Sequence, residues 1–352
     1  MTERPERPRY KGCMSHAVPV ERPYPSSDHV VVAPRLDKND PKEKLNYKLS
    51  VPFFIMHLLP LGMIFFPPSM GDVVLCMALY AIRMFFITGC YHRYFAHRGY
   101  QLGRVMTFLV AFGGGTSAQK GALWWASHHR WHHRFSDTDR DPHNSGRGFW
   151  WSHVGWILCD KYNETHYETI KDFAKYPELV WLNKHHLVPP VILGVAVWLW
   201  GGWSALFCGF FLSTILLYHG TFSINSLTHK WGKARYKTGE TSKNSLILAL
   251  VTLGEGWHNN HHYYASTANQ GFFWWEIDIS YYVIRVLGFF RLARGIRVPT
   301  DRARFKNWID EDARDRLLKR YGLTAPEPHE HEPLVTPAAV LTSSEPAPEP
   351  AE

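Results

Sequence analysis

The sequence has few cysteines and no pairing pattern among them. Five cysteines are spread over 352 residues, and no two form a CxxC pair. An odd, scattered set argues against a disulfide framework or a zinc ribbon, so we expect reduced thiols. A phosphate-binding loop is also lacking, because the run Gly113–Gly115 has no strand pattern before it and no GK[ST] after it. The cysteines are Cys13, Cys76, Cys90, Cys159 and Cys208.

Two long stretches lack lysine and arginine. No basic residue lies between Lys48 and Arg83 or between Lys184 and Lys230, although the chain has a formal charge of +8. These stretches contain four apolar blocks, each close to the roughly 20 residues that a membrane-spanning helix needs. The blocks lie at about 50–69, 72–90, 187–202 and 204–224.

The charge distribution predicts how the four blocks are arranged. They pair as two hairpins, with turns near Pro67–Gly71 and Gly201–Ser204. Because basic loops stay in the cytoplasm, the turns face away from it, and both termini and the long middle segment face it. The positive charge then lies beside anionic lipid, and nucleic acid is not needed as a partner. We predict an all-α integral membrane fold with four transmembrane helices and a cytoplasmic helical cap. The alternative is a soluble helical protein with very apolar core hairpins.

Composition divides the chain into three parts. Residues 1–47 are polar and rich in proline, which predicts a disordered arm. Residues 48–322 form the predicted membrane domain. Residues 323–352 are rich in proline, glutamate and alanine and predict a disordered tail.

Histidine is unusually frequent, with 21 residues, and much of it is clustered. The clusters are HRYFAH at 92–97, HRWHH at 129–133 and HNNHH at 258–262. On an α-helix, positions i, i+3 and i+4 share a face, so each of the last two clusters can aim three imidazoles at one region. His92 and His97 are i and i+5, so they either serve two metal ions or lie on both sides of a helix end.

The predicted topology places all three clusters on the cytoplasmic side, together with Asn225 and His229 at the end of the fourth block. Imidazole binds Zn, Cu, Fe and Ni, and the number of histidines suits two metal ions better than one tetrahedral zinc. A Glu-x-x-His motif of the ferritin-like carboxylate centres is absent. Carboxylates predicted to orient the imidazoles are Asp137, Asp139, Asp141 and Glu255.

With these motifs the sequence resembles the membrane fatty acid desaturases, specifically the stearoyl-CoA desaturase-like Δ9 group. The similarity extends beyond the histidine clusters to HHRFSDTDRDPHNSGRGFWWSHVGW at 132–156, NSLTH at 225–229 and GEGWHNNHH at 254–262. It covers roughly residues 45–300. The resemblance implies a four-helix membrane stem and a cap that holds a histidine-ligated di-iron site.

Site residues follow from the resemblance, position by position. Asn225 matches a residue that reaches one iron through water, and Gln119, Trp125 and Thr221 match residues at the bend of a substrate tunnel. His128 stands where the family usually has Asp, and we do not count it as a ligand. The implied iron ligands are His92, His97, His129, His132, His133, His229, His258, His261 and His262.

The resemblance implies an O₂-dependent desaturase that places a cis double bond, of Δ9 type, in a saturated acyl chain during unsaturated fatty acid biosynthesis. Two Fe²⁺ ions supply the oxidative chemistry. The sequence has no HPGG motif, flavin motif or iron–sulfur cysteine set, so a separate ferredoxin or cytochrome b5-like donor and its reductase are expected partners. The expected location is a bacterial inner membrane, or the endoplasmic reticulum in a eukaryote, with the site and both termini cytoplasmic.

The acyl carrier is less clearly indicated. In the animal acyl-CoA enzymes a basic pair follows HVGW, whereas here Asp160 precedes Lys161. A carboxylate repels the phosphates of CoA, so acyl-CoA, acyl-lipid and acyl-carrier-protein substrates stay open, with acyl-CoA first.

Two other functions fit parts of the pattern. A membrane hydroxylase or alkane monooxygenase shares the histidine clusters and inserts oxygen instead. A metal transporter holds its ligands inside the spans, near the bilayer midplane, whereas these clusters lie outside the predicted spans.

Overall fold

Helices make up nearly all the regular structure of residues 41–324, which a computed structural model describes. The predicted arm up to residue 40 and the predicted tail from residue 325 lie outside this range. The α-helices are α1 (Tyr47–Leu58), α2 (Met70–Phe85), α3 (Arg104–Gly115), α4 (Ala122–Phe135), α5 (Phe149–His153), α6 (Lys171–Ala174), α7 (Pro177–Lys184), α8 (Val188–Ala205), α9 (Ser213–Ser226), α10 (Leu246–Val251), α11 (His258–Tyr263), α12 (Ile279–Phe289), α13 (Asp301–Phe305) and α14 (Glu311–Tyr321).

Shorter elements connect these helices. Two π-helical segments, Phe86–Ala96 and Leu206–Leu212, continue α2 and α8. A two-stranded antiparallel sheet pairs β1 (Gln101–Leu102) with β2 (Ala293–Arg294). The 3₁₀ helices are Pro41–Glu43, Leu59–Ile64, Ser145–Arg147, Gly155–Leu158 and Tyr167–Thr169.

Within residues 41–324, two helical stretches are long and apolar enough to cross a membrane. Met70–Ala96 has 27 residues and a mean hydropathy of 2.0, and Val188–Ser226 has 39 residues and a mean hydropathy of 1.8. The first predicted block, at 50–69, forms a shorter apolar helix, Ser50–Ile64. This composition suits a protein that lies in a bilayer.

The longer stretch reverses direction in its middle. Gly201 and Gly202 leave the helical conformation, and Gly202 has φ of 66°, a value that glycine adopts without steric cost. In a straight helix Gly194 and Phe210 would lie about 24 Å apart. Instead, a Cβ atom on Gly194 would lie 3.4 Å from the Phe210 ring. The chain therefore folds back at the position where the glycine pattern predicts a turn.

The two predicted turns meet at one end of the molecule. Ser69 caps α2 with a reciprocal pair of hydrogen bonds, from Ser69 N–H to Asp72 Oδ2 at 2.8 Å and from Asp72 N–H to Ser69 Oγ at 3.2 Å. The Asp72 carboxylate also accepts a hydrogen bond from Ser204 Oγ at 3.1 Å. The Phe66 and Trp203 rings pack beside this contact, 6.1 Å apart.

Arg83 lies inside the helix assembly. Its guanidinium donates to Thr214 Oγ1 at 2.7 Å, to the Thr116 carbonyl at 3.3 Å and to Ser213 Oγ. Only 1% of the residue is exposed. The charge of Arg83 is therefore held by hydroxyl and carbonyl oxygens inside the helix assembly.

The segment before α1 is packed, although the sequence predicts a disordered arm up to residue 47. Glu43 is buried, with Oε1 2.7 Å from Lys161 Nζ and Oε2 3.2 Å from Arg147 Nη1. Leu45 forms a β-bridge with Cys159. These contacts join residues 43–45 to the segment at 147–161.

The glycine run at the end of α3 allows close helix packing. Side chains built on Gly113 and Gly114 would overlap the rings of Phe86 and Tyr91 in the π-helix, and one on Gly115 would meet Pro189. The sequence suggested that this segment either lies in the membrane interface or packs under the cap. It packs against the helix that carries the first histidine cluster.

Replacing Gly114 by Ala is expected to destabilise the protein, because the fully buried Tyr91 ring has no room to move. Overpacking of this kind costs about 1–3 kcal/mol, which thermal unfolding of detergent-purified protein would detect. Gly103→Ala is the matched control at the start of the same helix, where a Cβ atom meets nothing within 4 Å. Equal unfolding temperatures for the two variants would contradict the packing argument.

Candidate metal centre

Nine histidines from four parts of the chain converge in two adjacent groups. Their ligand nitrogens lie within 4.8 Å of one another in each group. The five-histidine group consists of His92, His97, His129, His133 and His261. The four-histidine group consists of His132, His229, His258 and His262. The structure thus brings together all nine histidines that the resemblance implied as ligands.

The five-histidine group is closed through its Nε2 atoms. His261 Nε2 lies 3.0 Å from His92 Nε2 and 2.8 Å from His133 Nε2. His129 Nε2 lies 3.0 Å from His133 Nε2 and 2.9 Å from His97 Nε2. All five rings therefore point the same nitrogen at one small volume.

The four-histidine group has the same form. His258 Nε2 lies 3.1 Å from His229 Nε2 and 3.0 Å from His262 Nε2. His132 Nε2 lies 3.2 Å from His262 Nε2. Asn225 lies one helical turn before His229 and lines the large apolar cavity that is described below.

The π-helix explains how His92 and His97 join one group. On an α-helix, residues five apart point in different directions. In a π-helix the hydrogen bonds run between residues five apart, and here the His97 N–H donates to the His92 carbonyl at 3.1 Å. The two rings therefore lie on the same side of the helix, with centroids 4.8 Å apart and planes at 81° to each other.

The chemistry of the two groups suits metal ions. Imidazole nitrogens bound to one divalent ion at roughly 2.0–2.1 Å, at right angles to each other, would lie about 3 Å apart. The observed separations of 2.8–3.2 Å match that value. Burial, and then neighbouring histidines, lower the pKa of His129, His133, His258, His261 and His262 well below the usual range. The rings are neutral, as metal ligands must be.

Three carboxylates set the orientation of the rings from behind. Glu255 Oε2 lies 2.6 Å from His92 Nδ1, Asp141 Oδ2 lies 3.0 Å from His132 Nδ1 and Asp137 Oδ2 lies 3.1 Å from His229 Nδ1. A proton held on Nδ1 leaves the Nε2 lone pair free for a metal. Burial raises the pKa of these carboxyls, but the histidine contacts outweigh it and hold each pKa below its usual range.

Sequence reasoning missed a fourth carboxylate. Glu240 Oε2 lies 3.6 Å from His229 Nδ1 and 3.8 Å from His262 Nδ1. It belongs to a polar loop with no histidine spacing, so nothing in the sequence singled it out. Asp139 was also predicted to orient an imidazole. It is exposed and forms no ion pair with a histidine within residues 41–324. His128 points away, with Nδ1 bonded to the Trp124 carbonyl at 2.9 Å.

A cavity of about 880 Å³ adjoins the five-histidine group. His92, His129 and Glu255 form part of its wall, and most of the remainder is apolar. Its size falls in the range of small-molecule sites. The three residues predicted to contact substrate, Gln119, Trp125 and Thr221, all line it.

The three predicted substrate residues lie close to the metal ligands. Trp125 stacks on His129, with ring centroids 4.9 Å apart. Gln119 Nε2 donates to Thr221 Oγ1 at 2.9 Å and ties the loop before α4 to α9. A ligand in this cavity would therefore lie directly beside the imidazoles of His92 and His129.

Comparisons with known proteins agree with this geometry. The family model described as "Fatty acid desaturase" matches residues 70–296. Over 272 residues the chain is 34% identical to the sn-1 stearoyl-lipid 9-desaturase of Synechocystis sp., covering 75% of this chain and 85% of that enzyme. It is 37% identical over 219 residues to the icosanoyl-CoA 5-desaturase of Limnanthes douglasii, covering 61% and 62%. It is 39% identical over 228 residues to the Delta-9 desaturase-like 5 protein of Arabidopsis thaliana, covering 63% and 76%.

Proposed function

Since the chain belongs to the fatty acid desaturase family and is a desaturase, we propose that it introduces a cis Δ9 double bond into a saturated fatty acyl chain, with O₂ as oxidant and two bound iron ions. The observation that carries the proposal is the apolar cavity whose wall includes His92 and His129 of the five-histidine group. An unactivated methylene can react only if it is held against the metals, and this cavity provides that position.

Iron is the proposed metal in both histidine groups. Bound there, the two ions supply the oxidising power that removes two hydrogens from adjacent methylenes while O₂ is reduced to water. The nine histidines are its proposed ligands, and Asn225 reaches the four-histidine site through water. Asp137, Asp141 and Glu255 hold the imidazoles in the tautomer that a metal requires.

The protein's own contribution is to position the chain and to exclude water. Trp125, stacked on His129, forms a flat wall beside the reacting carbons. The hydrogen bond between Gln119 and Thr221 fixes the cavity wall where the resemblance places the bend. A rigid bend selects which two carbons lie nearest the metals, and it thereby sets the position of the double bond.

We propose four membrane crossings with the metal centre on the cytoplasmic side. The turn at Pro67–Gly71 contacts the turn at Gly201–Ser204 through Asp72 and Ser204, so both turns lie at one end. A helix from Met70 to His92 rises by about 30 Å, close to the thickness of a bilayer's hydrocarbon core. The histidines thus lie about one membrane thickness from the turns, and the basic loops lie with them.

The surroundings of the cavity favour an acyl chain that is attached to a lipid. Leu187, which precedes α8, and Val191 and Val195 of α8 line the cavity and are at least 50% exposed, so one rim faces the bilayer. Lys161, the residual cation where the acyl-CoA enzymes have a basic pair, is buried against Glu43. Asp160 accepts a hydrogen bond from Asn46 at 2.6 Å. Neither residue offers positive charge to CoA phosphates.

Expression in a host that makes no unsaturated fatty acids tests the function. We expect cis Δ9 acyl chains that form only with O₂, and mass spectrometry gives the double-bond position. The His132→Ala variant should yield none. A hydroxylated product without an alkene would show a hydroxylase, and metal uptake into vesicles without O₂ consumption would show a transporter.

Assays of the purified, iron-loaded enzyme distinguish an acyl-lipid substrate from an acyl-CoA substrate. It is supplied with ferredoxin and its reductase, or with cytochrome b5 and its reductase, because the electrons come from a separate donor. We expect product from stearoyl-phosphatidylcholine in bicelles and little from stearoyl-CoA. Product from stearoyl-CoA alone would contradict the lipid assignment and leave the desaturase proposal intact.

A further inference from the structure

Behind the five-histidine group, one arginine lies between two carboxylates. One of them, Glu255, contacts His92 through Oε2 and Arg93 through Oε1, the latter at 3.0 Å. Arg93 also contacts Asp278 Oδ1 at 2.8 Å and donates to the Ala268 carbonyl. These three charged side chains are at most 1% exposed. The guanidinium thus offsets one of the two negative charges, and one net negative charge is left behind His92.

The charges around the four-histidine group are not balanced. Asp137, Asp141 and Glu240 lie behind its rings at 3.0–3.8 Å, and their side chains are 13%, 1% and 8% exposed. Among residues 41–324, none of the three forms an ion pair with Lys or Arg. Their other partners are hydroxyls and backbone N–H groups, such as Thr241 Oγ1 at 2.6 Å from Asp137, and the His143 ring, whose Nδ1 lies 3.6 Å from Asp141 Oδ1.

This difference acts on the oxidation state of a bound metal. Oxidation adds one positive charge to the ion, and a nearby carboxylate in a poorly solvated site stabilises that charge. Three carboxylates without a lysine or arginine partner stabilise the oxidised ion more than two carboxylates that share one arginine. The arrangement therefore gives the four-histidine ion the lower reduction potential.

We propose that the two ions are electronically unequal, and that electrons pass from the four-histidine ion to the five-histidine ion beside the substrate. The inference rests on the proposed function, since it requires iron in both groups. With iron bound, the carboxylates of the four-histidine group would make that site the donor of each electron taken from a one-electron carrier protein, and the Arg93 cluster would make the five-histidine site the acceptor. Arg93, Glu240, Asp137 and Asp141 are positioning residues in this scheme.

The surroundings of the two groups agree with this direction. The cavity touches two histidines of the five-histidine group, His92 and His129, and none of the four-histidine group, from whose side only Asn225 lines it. On the other side, Glu240 belongs to the loop at 230–243, in which Lys230, Lys233 and Lys237 are exposed. A carrier with an acidic surface that docks on this loop reaches the four-histidine ion first.

Stepwise reduction of the iron-loaded protein, followed by Mössbauer spectroscopy, tests the inference. The wild type should reduce in two one-electron steps. Glu240→Gln should raise the lower potential and bring the two steps together. Glu255→Gln removes the negative charge beside His92 and leaves Arg93 paired with Asp278, so it should raise the upper potential and move the two steps apart. We expect the equilibrium constant for electron transfer between the ions to change about tenfold, as is typical of changes behind a ligand histidine.

The control is Asp139→Asn, which removes an exposed carboxylate from the same loop as Asp137 and should leave both steps unchanged. Asp141→Asn is a second variant on the four-histidine side and should also narrow the separation, in case Glu240→Gln does not fold. A single reduction step in protein that holds two irons per chain would overturn this inference but not the proposed function. The same holds if the variants shift the separation between the two reduction potentials in the opposite directions. Fewer than two irons in the wild type would instead count against the proposed function.

Discussion

Alanine at His261 is expected to abolish desaturation and to empty the five-histidine group of metal. His261 Nε2 is the central contact of that group, 3.0 Å from His92 Nε2 and 2.8 Å from His133 Nε2. Its removal opens a gap between ligands that come from different helices. Because the neighbouring rings are held by their own helices, they cannot close that gap. Product should fall below detection in the host without unsaturated fatty acids, and iron should fall from about two per chain to about one or fewer.

His128→Gln is the matched control for this prediction. His128 is as buried as the ligands and adjoins His129, yet its Nδ1 bonds to the Trp124 carbonyl and it belongs to neither histidine group. This variant should keep both irons and most of the activity. If His261→Ala retained two irons and produced alkene, the ligand assignment would be wrong. If both variants lost iron, the loss would reflect damage to the fold.

The spacing of the histidine clusters predicted that the histidines converge, but not how they divide between the five-histidine and four-histidine groups. In each HxxHH cluster, the first and last histidines join one group and the middle one joins the other: His129 and His133 separate from His132, and His258 and His262 from His261. Positions i and i+4 differ by about 40° around a helix and i+3 lies about 60° to the other side. Each helix can thus serve two adjacent sites. A helical wheel shows one shared face, and only the structure resolves it into two sites.

Other features lay beyond the sequence for identifiable reasons. The π-helix that joins His92 to His97 depends on backbone hydrogen bonds that no residue pattern specified. Arg93 lies within the first cluster, but its partners Glu255 and Asp278 are far away in the sequence. Glu240 comes close to His229 only because the loop at 230–243 folds back over α9. Long-range packing decided all three. The apolar blocks and the stretches without lysine or arginine could be predicted because each depends only on neighbouring residues in the sequence.

Leucine at Gly194 is expected to exclude long acyl chains while leaving the metal centre intact. Gly194 is buried, lines the cavity and lies between Leu187 and Trp198, which are about 17 Å apart along α8. Its Cβ position contacts Phe210 at an ordinary distance, so a larger side chain must extend into the cavity. A stearoyl chain, which extends past this point toward the turn at Gly201–Ser204, would then be displaced from the metals. A displacement of about 1 Å can cost a hundredfold in rate.

We therefore expect about 10- to 100-fold less desaturation of stearoyl substrates and much smaller losses with myristoyl substrates, whose methyl end stops short of the obstruction. Product profiles of cells fed each chain measure the ratio. Ala196→Leu makes a similar change on the exposed side of the same helix and should change the desaturation of neither the stearoyl nor the myristoyl substrate. Equal loss on both chain lengths, with two irons still bound, would mean that the acyl chain does not run along α8. Because the metal count separates a blocked cavity from a damaged site, the ratio tests the path of the substrate directly.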